Sequence, residues 1–366
     1  MSGGVDSSLS AALLVEQGYD VTGVYMKNWT QDLPGVKCPW ADDLADAKRV
    51  AVNLGIDFKV FDFEKEYKQK IVDHMINEYK KGRTPNPDII CNQEVKFKLF
   101  LETALEDGAD MIATGHYARV ANVSDASSIV PSERLHAESE KIGLKVPLAK
   151  GILMEAIDEN KDQTYFLYRI TGEALGKTLF PIGEFKKPEV RKMAARRGLS
   201  TATKKDSQGI CFVGQVGIRD FLSLYVDQKP GKIIDKKSGK VLGHHDGAIF
   251  YTLGQRHGLD IGGGLPYYII DKDMDKNEVY VTTDLNDETL WKNRITITNV
   301  HWINNVPVDG KYQVRVRHRA PLIESSLHTK KGSVILDLIN PIRAIAPGQS
   351  AVIYDRGICL GGGIVV

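Results

Sequence analysis

Two cysteines and a glycine-rich turn have the residue types and spacing from which chemistry could be built. The turn is Ser2-Gly3-Gly4-Val5-Asp6-Ser7, at the head of an apolar-periodic stretch. Its glycines let backbone approach an anion closely, and a helix beginning near Asp6 and Ser7 would aim unpaired N–H groups at it. Each such charge–dipole contact is worth roughly 0.3–1 kcal/mol, so several donors must converge on one anion. The loop has no lysine of the Walker type, GxxxxGK[ST], so a different phosphate chemistry is implied. A Gly-Gly turn before a helix is also a common structural device, and the bare string leaves both readings open.

Cys91 stands in the stretch GRTPNPDIICNQEVKFK. Pro85 and Pro87 predict an extended segment there, with Asn92 capping a helix over residues 93–106. A thiol at a helix start has a lowered pKa and becomes a nucleophile; a buried loop cysteine is the plainer alternative. Asp88, three residues upstream, could act as general acid or base on the same substrate. Cys211, in KKDSQGICF, reads on its own as a core residue where a polar turn enters a short strand. Cys38 and Cys359 read as reduced, buried thiols. No two of the four cysteines form a CxxC pair, which argues against a structural zinc site or an iron–sulfur cluster.

Such residues need a frame, and the first third of the chain supplies an alternating one. Helices are predicted over residues 7–17, 42–54, 64–81 and 93–106, with Gly18, Gly55 and Gly82 as stops. In the first of them Val5, Leu9, Ala12 and Leu13 share one face. Strands are predicted over 20–26, 56–63 and 110–114, the last ending in TGHY. Alternation of this kind implies a Rossmann-like parallel sheet with helices on both faces and a site at the strands' carboxyl ends. Residues 122–148 are rich in Ser, Glu and Lys without a clear period and read as a surface insertion. Helical material returns over 162–198. From residue 231 the texture turns to short strands and Gly turns, and from about 285 to a second all-β stretch that suggests a small barrel.

The 366 residues carry 48 Lys and Arg against 47 Asp and Glu, so no nucleic-acid partner is announced by bulk charge. Any such contact must be a local patch. No run of 18 apolar residues is present, so no membrane span is expected, and the absence of a leader pattern predicts a cytoplasmic protein.

SGGVDS resembles the signature of the PP-loop ATP pyrophosphatases, which split ATP between its α and β phosphates and adenylate a carbonyl oxygen. The resemblance implies ATP at Ser2, Gly3, Gly4, Val5, Asp6 and Ser7, with Met26 and Gly115 at the adenosine and Mg²⁺ helped by Asp6. In that fold a buried strand enters the loop, and none precedes it in this chain. Four buried aliphatic side chains on such a strand would contribute roughly 6–12 kcal/mol, against a whole-domain stability of about 5–15 kcal/mol. The expectation is therefore a natural start earlier by roughly ten residues, the length of one strand.

Seven stretches in order, SGGVDS, PNPDIICN, ATGHY, KDQTYFLY, KDSQGICF, YTLGQRHGL and PGQSAVIY with CLGGGI, are similar to the tRNA-specific 2-thiouridylase family. They run nearly the full chain. The resemblance implies an ATP-dependent enzyme that makes 2-thiouridine at the wobble position, U34, of tRNAs such as those for Lys, Glu and Gln. It makes Cys91 the nucleophile and Cys211 the persulfide carrier, with a Cys91–Cys211 disulfide as an alternate state. Asn86, Pro87 and Asp88 would line the pocket of the target base, which must leave its stack to reach them. His116, Lys161, Asp162, Gln163, Arg317, His318 and Gln349 would contact tRNA. A cysteine desulfurase or a persulfide relay protein would supply sulfur.

In KYQVRVRHRAP, period 2 places Arg315, Arg317 and Arg319 on one face of a strand. A solvated face is one reading. Phosphate binding is the other, with three or four cations giving a salt slope of about −2 to −4. Because Arg317 and His318 are neighbours, their sharing a contact requires a bend or an edge position.

The expected domains are a catalytic domain over 1–205, a central β-rich domain over 206–284 with Cys211 near its start, and a C-terminal barrel over 285–366. Two other functions fit part of the pattern. A PP-loop ligase or amidotransferase acting on a small molecule would need neither cysteine. A non-catalytic RNA-binding or sulfur-carrier protein would release no pyrophosphate.

Overall fold

A computed structural model describes residues 1–32, 38–122, 150–206, 217–262 and 264–366, without the side chain of Asn122. Cys211 and most of the expected insertion lie outside the described residues.

The N-terminal part alternates as its periodicity requires. Helix α1 spans Val5–Glu16, strand β1 Thr22–Lys27, helix α2 Trp40–Leu54 and strand β2 Asp57–Asp62. Val5, Leu9, Ala12 and Leu13 of α1 pack in one cluster with Val50, Tyr117, Val190 and Ala194, which is the face the spacing predicts. A long helix, α3, covers residues 64–80 and opens to π-type turns over Lys68–Val72. A second, α4, covers residues 87–106 and does the same over Asn92–Leu99.

Strands β3 (Ile112–Ala113), β4 (Arg119–Asn122) and β5 (Gly151–Met154) follow, then short helices α5 (Thr164–Leu167) and α6 (Gly172–Leu175), strand β6 (Thr178–Leu179) and helix α7 (Lys187–Arg196). The expected helical run over 162–198 is thus broken into three helices and a strand. Parallel pairing is present as β1 with β2 and as β3 with β6, and no ladder joins the two pairs among the described residues.

The α4 start corrects the sequence expectation. Pro87 does not hold the chain extended; it occupies the first helical position, and the Asn86 side chain caps the helix by accepting from Asp88 N at 3.1 Å. Proline is favoured there because its missing N–H would have no intrahelical partner anyway. Asn92 is therefore inside the helix rather than its cap.

After helix α8 (Ile218–Leu222), the central unit is a four-stranded sheet of β7 (Gly231–Asp235), β8 (Val241–His245), β9 (Tyr268–Asp273) and β10 (Glu278–Thr282). Its strand order is β8-β7-β10-β9, over a core of Ile233, Tyr251, Ile269, Val279 and Val281.

The C-terminal unit is a closed six-stranded barrel. Its strands are β11 (Trp291–Trp302), β12 (Gly310–Arg315), β13 (Ile323–Lys330), β14 (Ser333–Arg343), β15 (Ser350–Asp355) and β16 (Ile358–Val365). They run in the order β11-β14-β13-β12-β15-β16, and β16 pairs back onto β11 to close the ring. Inward-facing Ile297, Val314, Leu327, Leu336 and Ile353 fill it.

The two flanks of the expected insertion have a role that periodicity did not reveal. Strands β4 and β5 pair antiparallel, and β5 then adds to β16 through Ile358 opposite Met154 and Cys359 opposite Leu153. One sheet therefore continues from the barrel wall into the N-terminal unit. Among the described residues no helix is long and apolar enough to cross a membrane.

Candidate functional site

The glycine-rich turn takes the shape an anion cradle needs. Gly3 has φ +70°, a left-handed conformation costly for side chains, and a Cβ there would run into the backbone of Asp43. Gly4 is the extended residue before α1, and no side chain caps that helix end. The first N–H groups of α1 therefore have no partner within the helix. Ser2 N donates to Ser7 Oγ at 3.0 Å, and Ser8 Oγ donates to Gly4 O at 2.8 Å, which together fix the turn.

The TGHY segment arrives at the same corner. A Cβ on Gly115 would lie 2.6 Å from Ser7 N, so only glycine permits this approach. Met26 sits near the carboxyl end of β1, opposite Phe61 of β2. Met26 and Gly115 thus stand at strand carboxyl ends, where nucleotides bind in parallel α/β folds, and Gly115 brings the second of these ends against the loop.

Asp6 is the charged centre of the corner. Tyr117 OH donates to its Oδ1 at 2.8 Å, while Lys187 Nζ reaches Oδ1 at 2.8 Å and Oδ2 at 2.7 Å. Lys187 also pairs with Asp206 at 2.9 Å, and Asp206 in turn takes Lys161 at 2.8 Å and Arg191 at 2.7 Å. Partial burial works to raise the Asp206 pKa, but hydrogen bonds from Lys161 and Lys187 outweigh it and bring it down to about 2. Burial and the Asp6 carboxylate push the Tyr117 hydroxyl far up, so it stays protonated as a donor. Lys187, Arg191 and Asp206 were not singled out from the sequence. The start signal Lys-Lys-Pro-Glu ahead of α7 could have drawn attention to Lys187.

Cys91 is fully buried as the fifth residue of α4, next to the change from α to π hydrogen bonding. This placement corrects the expected thiol at a helix N-terminus: the dipole acts within the first turn, and Cys91 lies beyond it. Asn86, Pro87 and Asp88 form that first turn, so the base-pocket candidates and Cys91 share one helix start.

The barrel holds the approach to that start. Thr84 N donates to Pro347 O at 2.9 Å, and Gln349 Nε2 donates to Thr84 O at 2.8 Å. Thr84 Oγ1 also meets Thr252 Oγ1 of the central unit at 3.2 Å. The loop before Cys91 is therefore pinned by both later units.

Several residues expected at a tRNA surface are engaged inside the protein. Asp162 is 3% exposed and accepts from Ala156 N at 3.0 Å, Thr164 Oγ1 at 2.7 Å and Arg315 at 3.0 Å. Gln163 Oε1 accepts from Tyr117 N at 2.9 Å, and Lys161 is bound to Asp206. His116 is buried among Phe97 and Phe180 with Thr114 Oγ1 2.8 Å from its Nδ1. Burial, helped by the Lys96 charge, holds its pKa well below the ordinary value, so the ring is neutral.

The basic strand also differs from the expected face. Strand β12 ends at Arg315, and the chain turns through Arg319 at φ +62°. Arg315 points inward to Asp162 and to Glu155 at 3.1 Å, with its guanidinium 5.2 Å from the centre of the Tyr354 ring. Arg317, exposed, donates to Ala344 O. His318 packs against Phe166 at a 40° tilt with ring centres 4.4 Å apart, and burial followed by nearby Arg319 and Arg315 lowers its pKa to about 4. The bend that neighbouring Arg317 and His318 demanded is thus present.

Cys38 and Cys359 are buried, and burial raises both thiol pKa values. Among the described residues no group of three or more His, Cys, Asp or Glu could hold a metal ion.

Comparison with known proteins covers the chain from end to end. The profile described as the tRNA methyl transferase HUP domain matches residues 1–215, the tRNA methyl transferase PRC-barrel domain residues 219–283, and the aminomethyltransferase beta-barrel domain residues 292–365. A protein of Bacillus cytotoxicus named tRNA-specific 2-thiouridylase MnmA is 42% identical over 369 residues, which take in 100% of this chain and 93% of that one. Its namesake from Bacillus mycoides is 43% identical over 370 residues with the same coverage.

Proposed function

Since the chain belongs to the tRNA-specific 2-thiouridylase family, we propose that it replaces the C2 oxygen of the wobble uridine, U34, with sulfur at the expense of ATP. The observation that carries this reading is the identity across all three units, from the phosphate turn to the last barrel strand. The corner geometry supports the ATP half of it, because Gly3 and Gly115 let the backbone of Asp43 and of the α1 start draw close around the turn, beside a helix end that no side chain caps.

A carbonyl oxygen is a poor leaving group, and this is the problem the reaction must solve. The uridine O2 attacks the α-phosphorus of ATP, and pyrophosphate departs. The terminal sulfur of a Cys211 persulfide then attacks C2, and AMP leaves with the former carbonyl oxygen. Cys91, as thiolate, attacks the Cys211 sulfur, so the S–S bond breaks, 2-thiouridine is released and a Cys91–Cys211 disulfide forms. Two thiols outside the enzyme's own chain reduce that disulfide, and a persulfide donor such as a cysteine desulfurase or relay protein reloads Cys211. Asp88, on the same helix turn as the base pocket, manages the proton inventory.

Asp6, whose carboxylate now holds Lys187 and Tyr117, would give Mg²⁺ hard oxygens at the phosphate turn once Lys187 moved off, and the ion would neutralise phosphate charge there. The buried strut residues Asp162 and His116 act by holding the surfaces that meet tRNA. Arg317, exposed at the barrel bend, would touch phosphate directly.

The test is mass spectrometry of tRNA nucleosides after incubation with ATP, Mg²⁺ and a persulfide source. The expected outcome is 2-thiouridine in step with AMP and pyrophosphate, lost on omission of ATP and in Cys91→Ser and Cys211→Ser. Thiolation that survives either substitution, or proceeds without ATP, overturns the mechanism.

A further inference from the structure

The phosphate turn contains no cation of its own, yet a triphosphate brings several negative charges to it. We propose that Lys187, delivered from the start of α7, is the phosphate-gripping residue of this loop, parked on Asp6 until nucleotide arrives. The inference rests on the ATP-dependent reading above and deepens it.

Four observations carry it. Lys187 Nζ touches both oxygens of Asp6, at 2.7 and 2.8 Å, and Asp6 lies in the first turn of α1 beside the cradle. Its side chain is only 10% exposed, so water does not satisfy the ammonium. Its backbone is anchored, with Lys187 N donating to Asp158 Oδ2 at 2.8 Å, so only the side chain need move. Finally, the partners it would leave are provided for.

That last point concerns charge balance. Asp206 keeps Lys161 and Arg191 when Lys187 departs. Asp6 keeps the Tyr117 hydroxyl and gains the divalent cation that accompanies the phosphates. The exchange therefore replaces the two ion pairs of Lys187, with Asp6 and Asp206, by two others, Asp6 with metal and Lys187 with phosphate, and leaves no carboxylate stranded. The Tyr117 ring, 5.5 Å from the ammonium, offers a face along which it can swing. A lysine serves this role well, being a compact charge on a flexible stem.

The experiment is calorimetric titration of the full chain with ATP, pyrophosphate and adenosine in the presence of Mg²⁺. One charge-assisted contact is worth about 1.5–3 kcal/mol, so Lys187→Gln should weaken ATP and pyrophosphate by about ten- to a hundredfold. Adenosine affinity should stay the same. Unchanged ATP affinity in Lys187→Gln, or an equal loss for ATP and adenosine, overturns the inference. Should that variant not fold, lysine-selective ¹⁵N NMR of the unmodified chain decides, with Lys187→Arg giving the assignment. The Lys187 signal must move with Mg²⁺-pyrophosphate and hold still with adenosine, and a static signal overturns the inference. An unmodified chain that binds no ATP sinks the broader reading as well, whereas normal ATP binding that ignores Lys187 sinks this inference alone.

Discussion

The corner around Asp6 and the junction around Thr164 are both tied by hydrogen bonds between distant parts of the chain, yet they are made for opposite purposes. The corner is joined by ions: buried Lys187 and the partly exposed Lys161 and Arg191 converge on Asp206, whose side chain is 33% exposed. Such links can be traded for others of like charge when a ligand enters. The junction between N-terminal unit and barrel is joined by buried hydroxyls. Thr164 Oγ1 meets Tyr354 OH at 3.1 Å, Tyr165 OH donates to Ser350 O at 3.0 Å, and Tyr168 OH meets Ser350 Oγ at 3.1 Å. No water is at hand there to replace a lost partner, so the junction holds and does not exchange. On the proposed function, a nucleotide must be recruited at the corner while the barrel keeps its register, and that needs both kinds of contact.

The comparison breaks most visibly at Arg315. Arg315→Ala would leave buried Asp162 and partly buried Glu155 as unpaired carboxylates and should cost about 3–5 kcal/mol in urea unfolding, while the folded fraction binds ATP normally. Burial already raises both carboxyl pKa values above their unfolded values. Groups raised in this way favour the folded state at low pH and cease to as pH rises through the raised value. The Arg315→Ala deficit should therefore be smallest in acid and widen toward neutrality. Loss of ATP binding along with stability would show that the two regions are not separate.

A smaller effect sharpens the same contrast. Tyr165→Phe removes the donor serving Ser350 O and Val316 O, and should cost about 1–2 kcal/mol of stability without altering nucleotide affinity. Asp206→Asn should change least at neutral pH, because a third-exposed group is screened by solvent. Its signature lies in acid. Asp206 titrates near 2 in the folded chain against an ordinary 3.8, so its stabilisation is complete above the higher value and fades toward the lower one. The variant's melting temperature should fall less steeply than the parent's across that window; a superimposable acid limb would remove Asp206 from the account of the corner.

Much of the corner was legible because its signals are local. The glycines of the turn, the apolar face of α1 and the strand ending in TGHY all declare themselves over a few residues. Lys187 did not, since it lies 181 residues from Asp6 and no short-range pattern links them. Arg315 and Asp162 were noticed as charges but read as solvated or RNA-facing; their pairing spans 153 residues, and burial is a tertiary fact that residue type conceals. The Cys91 helix was misjudged for a different reason. Asn86 followed by Pro87 carries both a breaker signal and a helix-start signal, and only the capping hydrogen bond settles which one prevails. The role of β4 and β5 was invisible because their partner strand lies some two hundred residues onward in the last stretch of the chain.

That shared wall has a consequence for anyone who would take the protein apart. The change of texture near residue 285 invites a cut that frees the N-terminal part from the barrel. A chain severed there would lose β16, baring the backbone edge of β5 along Leu153 and Met154, an invitation to pair with a stranger. It would also strip Tyr165 and Tyr168 from Ser350, and Thr164 from Tyr354. The place where composition changes is not the place where the molecule comes apart, and the two ends of this polypeptide are bound to fold as a single undertaking.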